Sequence, residues 1–177
     1  MKLKKQSLVI VLLAFFSLPV LAQAPDTTAA KTNDKGIILQ DPNRGITIEA
    51  PNASWGVNAG KYTISLNHVS FFDAHVTLKK SWYSVTTAQE AYEKRKASLK
   101  SYMPGAVFLK ENEKLSIGDN VAAMSMIYKN PSDLKVLREI VFVHRGQPYE
   151  LVFQAKDENF QKVKEEFGFI LENLKLF

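Results

Sequence analysis

The sequence predicts an α+β fold, in which a largely antiparallel β-sheet packs with two amphipathic helices. Runs of alternating apolar and polar residues, which are typical of half-buried strands, occur in groups along the chain. One segment with helical periodicity lies between these groups of strands, and a second follows them towards the C-terminal end. Grouped strands, as opposed to a strict alternation of strands and helices, indicate layers built on an antiparallel sheet.

Residues 1–22 are typical of a secretory signal peptide, because three early lysines precede an unbroken apolar run and small residues follow. The run is well short of the roughly 20 residues that span a bilayer, which argues against an uncleaved anchor. We expect cleavage between Ala22 and Gln23, since a cut after Ala24 would place Pro25 directly behind it. The protein is therefore predicted in the periplasm or outside the cell of a Gram-negative-type bacterium.

Loss of this leader changes the charge of the protein. The full chain has a formal net charge of +5, but residues 1–22 contain three Lys and no acidic residue. The remainder has 20 basic and 18 acidic residues, which gives a net charge of +2. Nucleic-acid binding normally needs a basic face, so we expect no nucleic-acid partner.

The chain contains no cysteine. This excludes disulfides, thiol catalysis, thiolate metal sites and lipid anchoring through an acylated cysteine. We therefore expect a monomer that is not a lipoprotein and is held together by its core alone.

The first globular element is expected near residue 41. Residues 23–34 contain no large apolar side chain, and such a composition does not offset the entropy lost on ordering. A flexible tether is predicted over residues 23–40, followed by a single globular domain over residues 41–177.

The strands of this domain follow from alternation and from turn residues. Ile46 and Ile48 alternate with polar residues until Pro51 stops the strand. The turn before Pro148 joins two long apolar runs as a hairpin. Strands are predicted at residues 46–49, 62–66, 74–83, 107–110, 121–129, 134–144 and 149–155.

Two helices complete the domain. Thr87 and Glu90 have the spacing of a capping box, and the helix that they begin is predicted to end near Tyr102, before Pro104. Asp157 is expected to cap the final helix. One stripe of about 100° on that helix holds its large apolar side chains: Phe160, Val163, Phe167, Ile170, Leu171 and Leu174.

The order of these elements resembles a known family. The resemblance is carried by the opening strand at residues 45–51 with Trp55 and Gly56 behind it, and by a capped helix that ends in Met103-Pro104-Gly105. The hairpin over residues 140–151 and the terminal helix complete it. Together they resemble the PsbP-like α/β sandwich and the bacterial DcrB-like envelope proteins, over nearly all of residues 41–177. The resemblance implies a non-catalytic binding or accessory role and does not name the partner. We expect no cofactor. DcrB-like proteins can be lipoproteins, and the absence of cysteine departs from that pattern.

His68, Asp73 and His75 are weak candidates for a metal site, because they lie close in sequence and offer nitrogen and oxygen ligands. The alternative is that the histidines are ordinary surface or sheet-edge residues. Motifs for a nucleophilic serine or a phosphate-binding glycine loop are absent from the sequence. We therefore expect a protein that is not an enzyme.

Four basic residues of the first helix are candidates for binding an anionic partner: Lys94, Arg95, Lys96 and Lys100. Arg95 is unusual because its helical angle lies in the middle of the apolar stripe. One interpretation is that its stem packs on the sheet and its head meets a carboxylate. The other is that it faces a groove and holds an anionic group by a bidentate contact.

Aromatic residues supply a further candidate. Phe169 lies opposite the apolar stripe of the final helix, where it is either covered by a loop or the tether, or exposed as an anchor for a partner. Trp55 and Trp82 are expected in core or edge packing.

The sequence as a whole predicts an exported, non-enzymatic binding or accessory protein of a bacterial envelope or secretome, which acts through protein or anionic-ligand contacts. Two alternatives stay open. One is a secreted effector that binds a host protein or phosphoinositide through the helix carrying Arg95. The other is a small hydrolase or metal-binding protein that uses the region of His68, Asp73 and His75.

Overall fold

The computed structural model describes residues 29–33 and 36–177, so the predicted signal peptide and the cleavage between Ala22 and Gln23 lie outside the described residues. The described elements follow one another as β1 (Ala29–Asn33), β2 (Gly36–Asp41), β3 (Ile46–Glu49), β4 (Trp55–Ala59), β5 (Thr63–His68), β6 (His75–Lys80), α1 (Ala88–Tyr102), β7 (Val107–Ile117), β8 (Val121–Asn130), β9 (Lys135–His144), β10 (Gln147–Lys156), α2 (Asp157–Glu172) and β11 (Lys175–Leu176).

The described strands form two sheets. One has four strands in the order β1-β2-β3-β11, and the other has seven in the order β4-β5-β6-β10-β9-β8-β7. Neighbouring strands pair antiparallel in both sheets. The predicted α+β class, with two helices on a largely antiparallel sheet, is confirmed.

The seven-stranded sheet separates two hydrophobic cores. On β9, Ile140 and Phe142 belong to the core shared with α2 and the small sheet, whereas Val141 belongs to the core under α1. This division follows from the period of two along a strand, which sends successive side chains to opposite faces. Because α1 contributes to one of these cores and α2 to the other, the two helices lie on opposite faces of the large sheet.

The predicted beginning of α1 is confirmed. Thr87 is the N-cap, and its hydroxyl accepts a hydrogen bond of 3.2 Å from the backbone N–H of Glu90. The Glu90 carboxylate accepts from the backbone N–H of Thr86 at 2.9 Å, one residue earlier than in a standard capping box. Beyond Tyr102 the helix stops, with the N–H of Met103 bonded to the Leu99 carbonyl at 2.8 Å.

The predicted cap of α2 is wrong. Asp157 is the first helical residue and its carboxylate lies 2.6 Å from Lys129 Nζ, while Lys156 occupies the N-cap position without a side-chain cap. Asp73, from the turn between β5 and β6, takes the place of a local cap. Its carboxylate accepts from the backbone N–H of Lys156 at 2.6 Å and from Asn159 Nδ2 at 2.8 Å. The apolar stripe of α2 faces the core as predicted.

The predicted tether over residues 23–40 needs correction from residue 29 onward, where β1 and β2 form. β2 pairs with both β1 and β3, and Leu39 is buried in the core. Gly36 makes this possible, because it has φ of +143° and a Cβ there would lie 2.1 Å from the carbonyl oxygen of Ala50. β1 and β2 form because each pairs with a neighbouring strand, and the local composition gives no sign of that pairing.

Other boundaries also differ from the predictions. The third predicted strand ends at Lys80 instead of residue 83, because the backbone N–H of Ser81 turns to the carbonyl of Pro148 at 2.9 Å. β7 extends to Ile117 with irregular register against β8, and β4 and β11 were not predicted. In the described part of the chain, no helix is both long and apolar enough to cross a membrane.

Candidate functional site

A cluster of charged residues lies where α1 crosses the large sheet. The Arg95 guanidinium donates from Nε to Glu139 Oε1 and from Nη2 to Glu139 Oε2, the second at 3.2 Å. Arg95 Nε also lies 3.2 Å from Glu150 Oε2. We call Arg95, Glu139, Glu150 and Lys79 the charged cluster.

The strand registers bring the charged cluster together. Glu139 on β9 pairs with Val152 on β10, so Glu150, two residues away on β10, lies on the same face. Lys79 on β6 is directly opposite Glu150, and its Nζ lies 2.8 Å from Glu150 Oε2. These side chains all face the α1 side of the sheet, where Arg95 descends from the helix.

Hydroxyl groups supply further bonds to the two carboxylates. The Ser81 hydroxyl donates to Glu150 Oε1 at 2.6 Å, and the Tyr128 hydroxyl donates to Glu139 Oε2 at 3.1 Å. Glu139 is 0% exposed. Because an unpaired charge at such depth costs several kcal/mol, its bonds to Arg95 and Tyr128 are needed for the fold.

Burial and charge act in opposite directions on these groups. Burial raises the pKa of Glu139 above its usual range, although Arg95 lowers it in part. Burial also acts to raise the pKa of Glu150, but Arg95, Lys79 and Ser81 together hold it below its usual range. Burial opposes the charge of Arg95, yet Glu139 and Glu150 raise its pKa. Burial raises the pKa of the nearby Tyr83 to about 12.

Two carboxyl groups with opposed pKa shifts are a pattern of acid–base sites. Here both carboxyl groups are buried, and their oxygens contact Arg95, Lys79, Ser81 and Tyr128. A reacting group must come within hydrogen-bond distance of such a carboxyl. Glu139 and the Oε1 of Glu150 accept hydrogen bonds from within the protein, and the Oε2 of Glu150 lies at ion-pair distance from Lys79 and Arg95. The charged cluster therefore joins α1 to the sheet.

The bidentate contact predicted as one alternative for Arg95 is made with Glu139, inside the protein. This corresponds to the other alternative, in which the arginine head meets a carboxylate. Arg95 Cζ lies 5.4 Å from the ring centre of Tyr102, which is exposed.

The three neighbouring lysines also have internal contacts. Lys94 Nζ donates to the Ser84 carbonyl at 2.9 Å. Lys96 Nζ lies 2.6 Å from Glu111 Oε1. Lys100 Nζ lies 5.8 Å from the ring centre of Phe108. Partner binding by these lysines stays a prediction.

Phe169, the predicted anchor on α2, is half-buried. It lies outside the buried stripe of the helix, as its angle predicts, and its carbonyl accepts from Asn173 Nδ2 at 2.9 Å. Its use by a partner stays a prediction.

The structure does not assemble His68, Asp73 and His75 into a metal site. His68 is buried on one face of β5, whereas His75 lies opposite Asn67 and therefore faces the other side of the sheet. His68 Nδ1 accepts from the backbone N–H of Phe71 at 3.0 Å, and Asp73 turns to the beginning of α2. Within residues 29–33 and 36–177 no group of three His, Asp or Glu is arranged for a metal ion.

The two tryptophans differ in burial. Trp55 is 1% exposed and its Nε1 donates to Glu166 Oε2 at 2.5 Å, so its predicted core packing is confirmed. Trp82 is 91% exposed, and the prediction of packing is wrong for it. Trp82 lies two residues beyond the end of β6, and its ring centre is 6.1 Å from that of Tyr83.

A surface depression of about 520 Å³ lies at the beginning of α2, lined by Leu134, Lys156, Asp157 and Glu158. All four side chains are exposed, and the charged ones are of both signs. It offers no buried polar group with which to fix a ligand.

Comparison with solved structures identifies similar folds. PsbP (CyanoP) from Synechocystis sp. PCC 6803 superposes with a TM-score of 0.62 at 12% identity, over 87% of this chain and 100% of that chain. LpqN, a protein involved in cell envelope biogenesis of Mycobacterium tuberculosis, superposes with a TM-score of 0.52 at 14% identity, over 74% of this chain and 82% of that chain. A scan against protein-family models and a search of curated proteins found no match.

Proposed function

We propose that this chain, which has the PsbP-like α/β fold, is a non-enzymatic accessory or binding protein of a bacterial cell envelope. It acts through contacts with a protein or an anionic ligand. The observation that carries the proposal is the fold shared with LpqN, which is involved in cell envelope biogenesis.

The charged cluster supports the non-enzymatic part of the proposal. Acid–base or nucleophilic catalysis needs a group that can touch the substrate. Glu139 and Glu150 are buried beneath α1 and are bonded to residues of the same chain. The two carboxylates attach α1 to the sheet. A partner would therefore bind to the outer surfaces of the fold.

Export is the second part of the proposal. Residues 1–22 have the basic start, apolar run and small-residue end of a secretory leader. After cleavage, a protein of net charge +2 would begin at Gln23 and reach the periplasm or the medium.

A complementation experiment tests this function. In the bacterium that makes the protein, deletion of its gene should increase the permeability of the envelope to a hydrophobic fluorescent probe. The full chain should restore the barrier, and a form without residues 1–22 should fail because it stays in the cytoplasm. N-terminal sequencing of the exported protein should begin at Gln23. An unchanged barrier after deletion, or full rescue by the leaderless form, would contradict the proposal.

A second arm tests the structural role of the charged cluster. The double variant Arg95→Met with Glu139→Gln keeps the pair of Lys79 and Glu150 and removes the other two charges. It should restore the barrier as the unaltered chain does, provided that circular dichroism shows it folded. Loss of rescue by a folded double variant would show that the charged cluster acts in function.

A further inference from the structure

One end of the large sheet exposes two aromatic rings beside two lysines. We propose that this end, formed by Lys61, Tyr62, Lys80 and Trp82 and here called the aromatic–lysine end, docks on the surface of a bilayer that contains anionic lipids. The inference rests on the proposed function in the envelope and names the surface and the partner.

The strand pairing brings the four residues to one place. The turn between β4 and β5 carries Lys61 and Tyr62, and the end of β6 carries Lys80. The backbone N–H of Lys80 donates to the Tyr62 carbonyl at 3.3 Å. Trp82 follows two residues later, after the chain has left the sheet.

Both rings project into solvent. Tyr62 is 63% exposed and Trp82 is 91% exposed. Folding gains little from a large aromatic ring left in water, and two such rings beside cations indicate a candidate surface for association. Tryptophan and tyrosine are the side chains that favour the boundary between lipid and water, because each combines an apolar ring with a polar group.

An internal ion pair holds the turn in position. Asp41, which is buried, pairs with Arg44 at the end of β2. The same guanidinium donates from Nη2 to the carbonyls of Gly60 and Lys61, the first at 2.7 Å. The turn is therefore fixed before any partner arrives, which reduces the entropy lost on binding.

The positive charge of the aromatic–lysine end favours binding to an anionic surface. Among the described residues, Lys61 and Lys80 have no acidic partner at ion-pair distance. Lys61 Nζ instead lies 5.2 Å from the Tyr62 ring centre. Cations next to interfacial aromatic rings add attraction to the negative potential of an anionic membrane.

Two acidic groups on the flanking strands do not cancel this charge, because both are buried and paired with cations of the same chain. Asp41 pairs with Arg44, and Glu150 pairs with Lys79 and Arg95.

The opposite end of the sheet carries charges of both signs. Phe72 is 82% exposed there, and its neighbour Asp73 is bonded to the first turn of α2. That turn carries Asp157 and Glu158, and Asp157 is paired with Lys129. Phe72 therefore serves as an exposed aromatic control at an end of mixed charge.

The test uses the chain purified after export and two kinds of vesicle. One kind contains equal parts of phosphatidylglycerol and phosphatidylcholine, and the other contains phosphatidylcholine alone. Because Trp55 is buried, a blue shift of tryptophan fluorescence on addition of vesicles reports on Trp82. We expect co-sedimentation and a blue shift with the anionic vesicles, and little of either with phosphatidylcholine.

Variants then locate the contact. Lys61→Gln with Lys80→Gln, and separately Tyr62→Ala with Trp82→Ala, should each weaken binding to the anionic vesicles about tenfold or more. Matched controls are Lys114→Gln with Lys164→Gln, which remove the same charge from other exposed positions, and Phe72→Ala. The controls should bind within about twofold of the unaltered chain.

The outcomes separate this proposal from the proposed function. Absence of binding, equal binding to both kinds of vesicle, or equal weakening by the controls would overturn docking on anionic lipid. If the barrier is still rescued in that case, a protein partner takes the place of the bilayer and the envelope function stands. If vesicle binding is as expected but deletion leaves the barrier unchanged, the docking surface stands and the envelope function fails.

Discussion

At the scale of single residues, Arg95 joins α1 to the large sheet through Glu139 and Glu150. Its helical angle placed it in the apolar stripe of α1, so a buried or half-buried head was predictable. The partner was predictable only as a type, a carboxylate or an anionic ligand. Glu139 and Glu150 could have been suspected, because each is the one acidic residue of a long and largely apolar strand. Their pairing with Arg95 required the register of three elements.

The first prediction concerns Arg95→Met. Removal of the guanidinium leaves Glu139 buried without its counter-charge, and we expect the free energy of unfolding to fall by about 3–5 kcal/mol. Urea denaturation measures the change. Lys100→Met, on the same helix but exposed, should change it by less than about 0.5 kcal/mol. An Arg95→Met protein as stable as the original would mean that Glu139 finds another partner.

The second prediction concerns Asp73→Asn and pH. Burial acts to raise the pKa of Asp73, but hydrogen bonds from the Lys156 backbone and Asn159 lower it below its ordinary value of 3.8. A carboxyl with a lowered pKa stabilises the fold above its ordinary value, and this contribution is lost as pH falls towards the pKa of the folded state.

We therefore expect Asp73→Asn to cost about 1–2 kcal/mol near neutral pH and progressively less below about pH 4. Urea denaturation of both proteins across the acid range gives the comparison. A difference that is constant or grows on acidification would show that Asp73 does not act through its charge.

At the scale of elements, the sequence was most informative where the signal is local. The cap of α1 and the stripe of α2 depend on neighbours three or four residues apart, and both were predicted. The cap of α2 was not, because the carboxylate that meets its first turn comes from Asp73, more than eighty positions earlier in the chain. The spacing of residues near the start of α2 carries no information about a partner so far away in the sequence.

The third prediction compares two phenylalanines of α2. Phe167 is buried and contacts the rings of Phe153 and Phe160, with ring centres 5.2 and 5.7 Å away. Phe167→Ala should cost about 3–5 kcal/mol. Phe169→Ala, two residues away on the half-buried side, should cost less than about 2 kcal/mol. Thermal and urea unfolding of both variants measure these changes in the free energy of unfolding. Equal losses would mean that Phe169 belongs to a packed core.

At the scale of the whole molecule, the fold class and the large hairpins followed from composition and alternation. The small sheet did not. β1 is built from small and polar residues, and β11 has only two residues. Each is a strand because of the neighbour to which it pairs, and such pairing between distant parts of the chain is invisible to local pattern.

The fourth prediction tests the small sheet through its last strand. Leu176 is buried, pairs with Ile46 of β3 and packs against Gly118, where an added Cβ would lie 2.9 Å from the Leu176 side chain. Leu176→Ala should lower the free energy of unfolding by about 2–4 kcal/mol. Phe177→Ala, at an exposed neighbouring residue, should cost clearly less. A loss for Leu176→Ala no larger than that for Phe177→Ala would contradict the prediction and show that burial of Leu176 does not hold β11.

The position of β11 bears on how the fold is completed. This edge strand of the four-stranded sheet follows α2 in the sequence, whereas the other three strands precede β4. A chain in which α2 and β11 have not yet formed lacks this edge, and contacts between segments distant in sequence close slowly. The fold is thus complete only when β11 has paired with β3, so the four-stranded sheet depends on a contact between segments that lie far apart in the sequence.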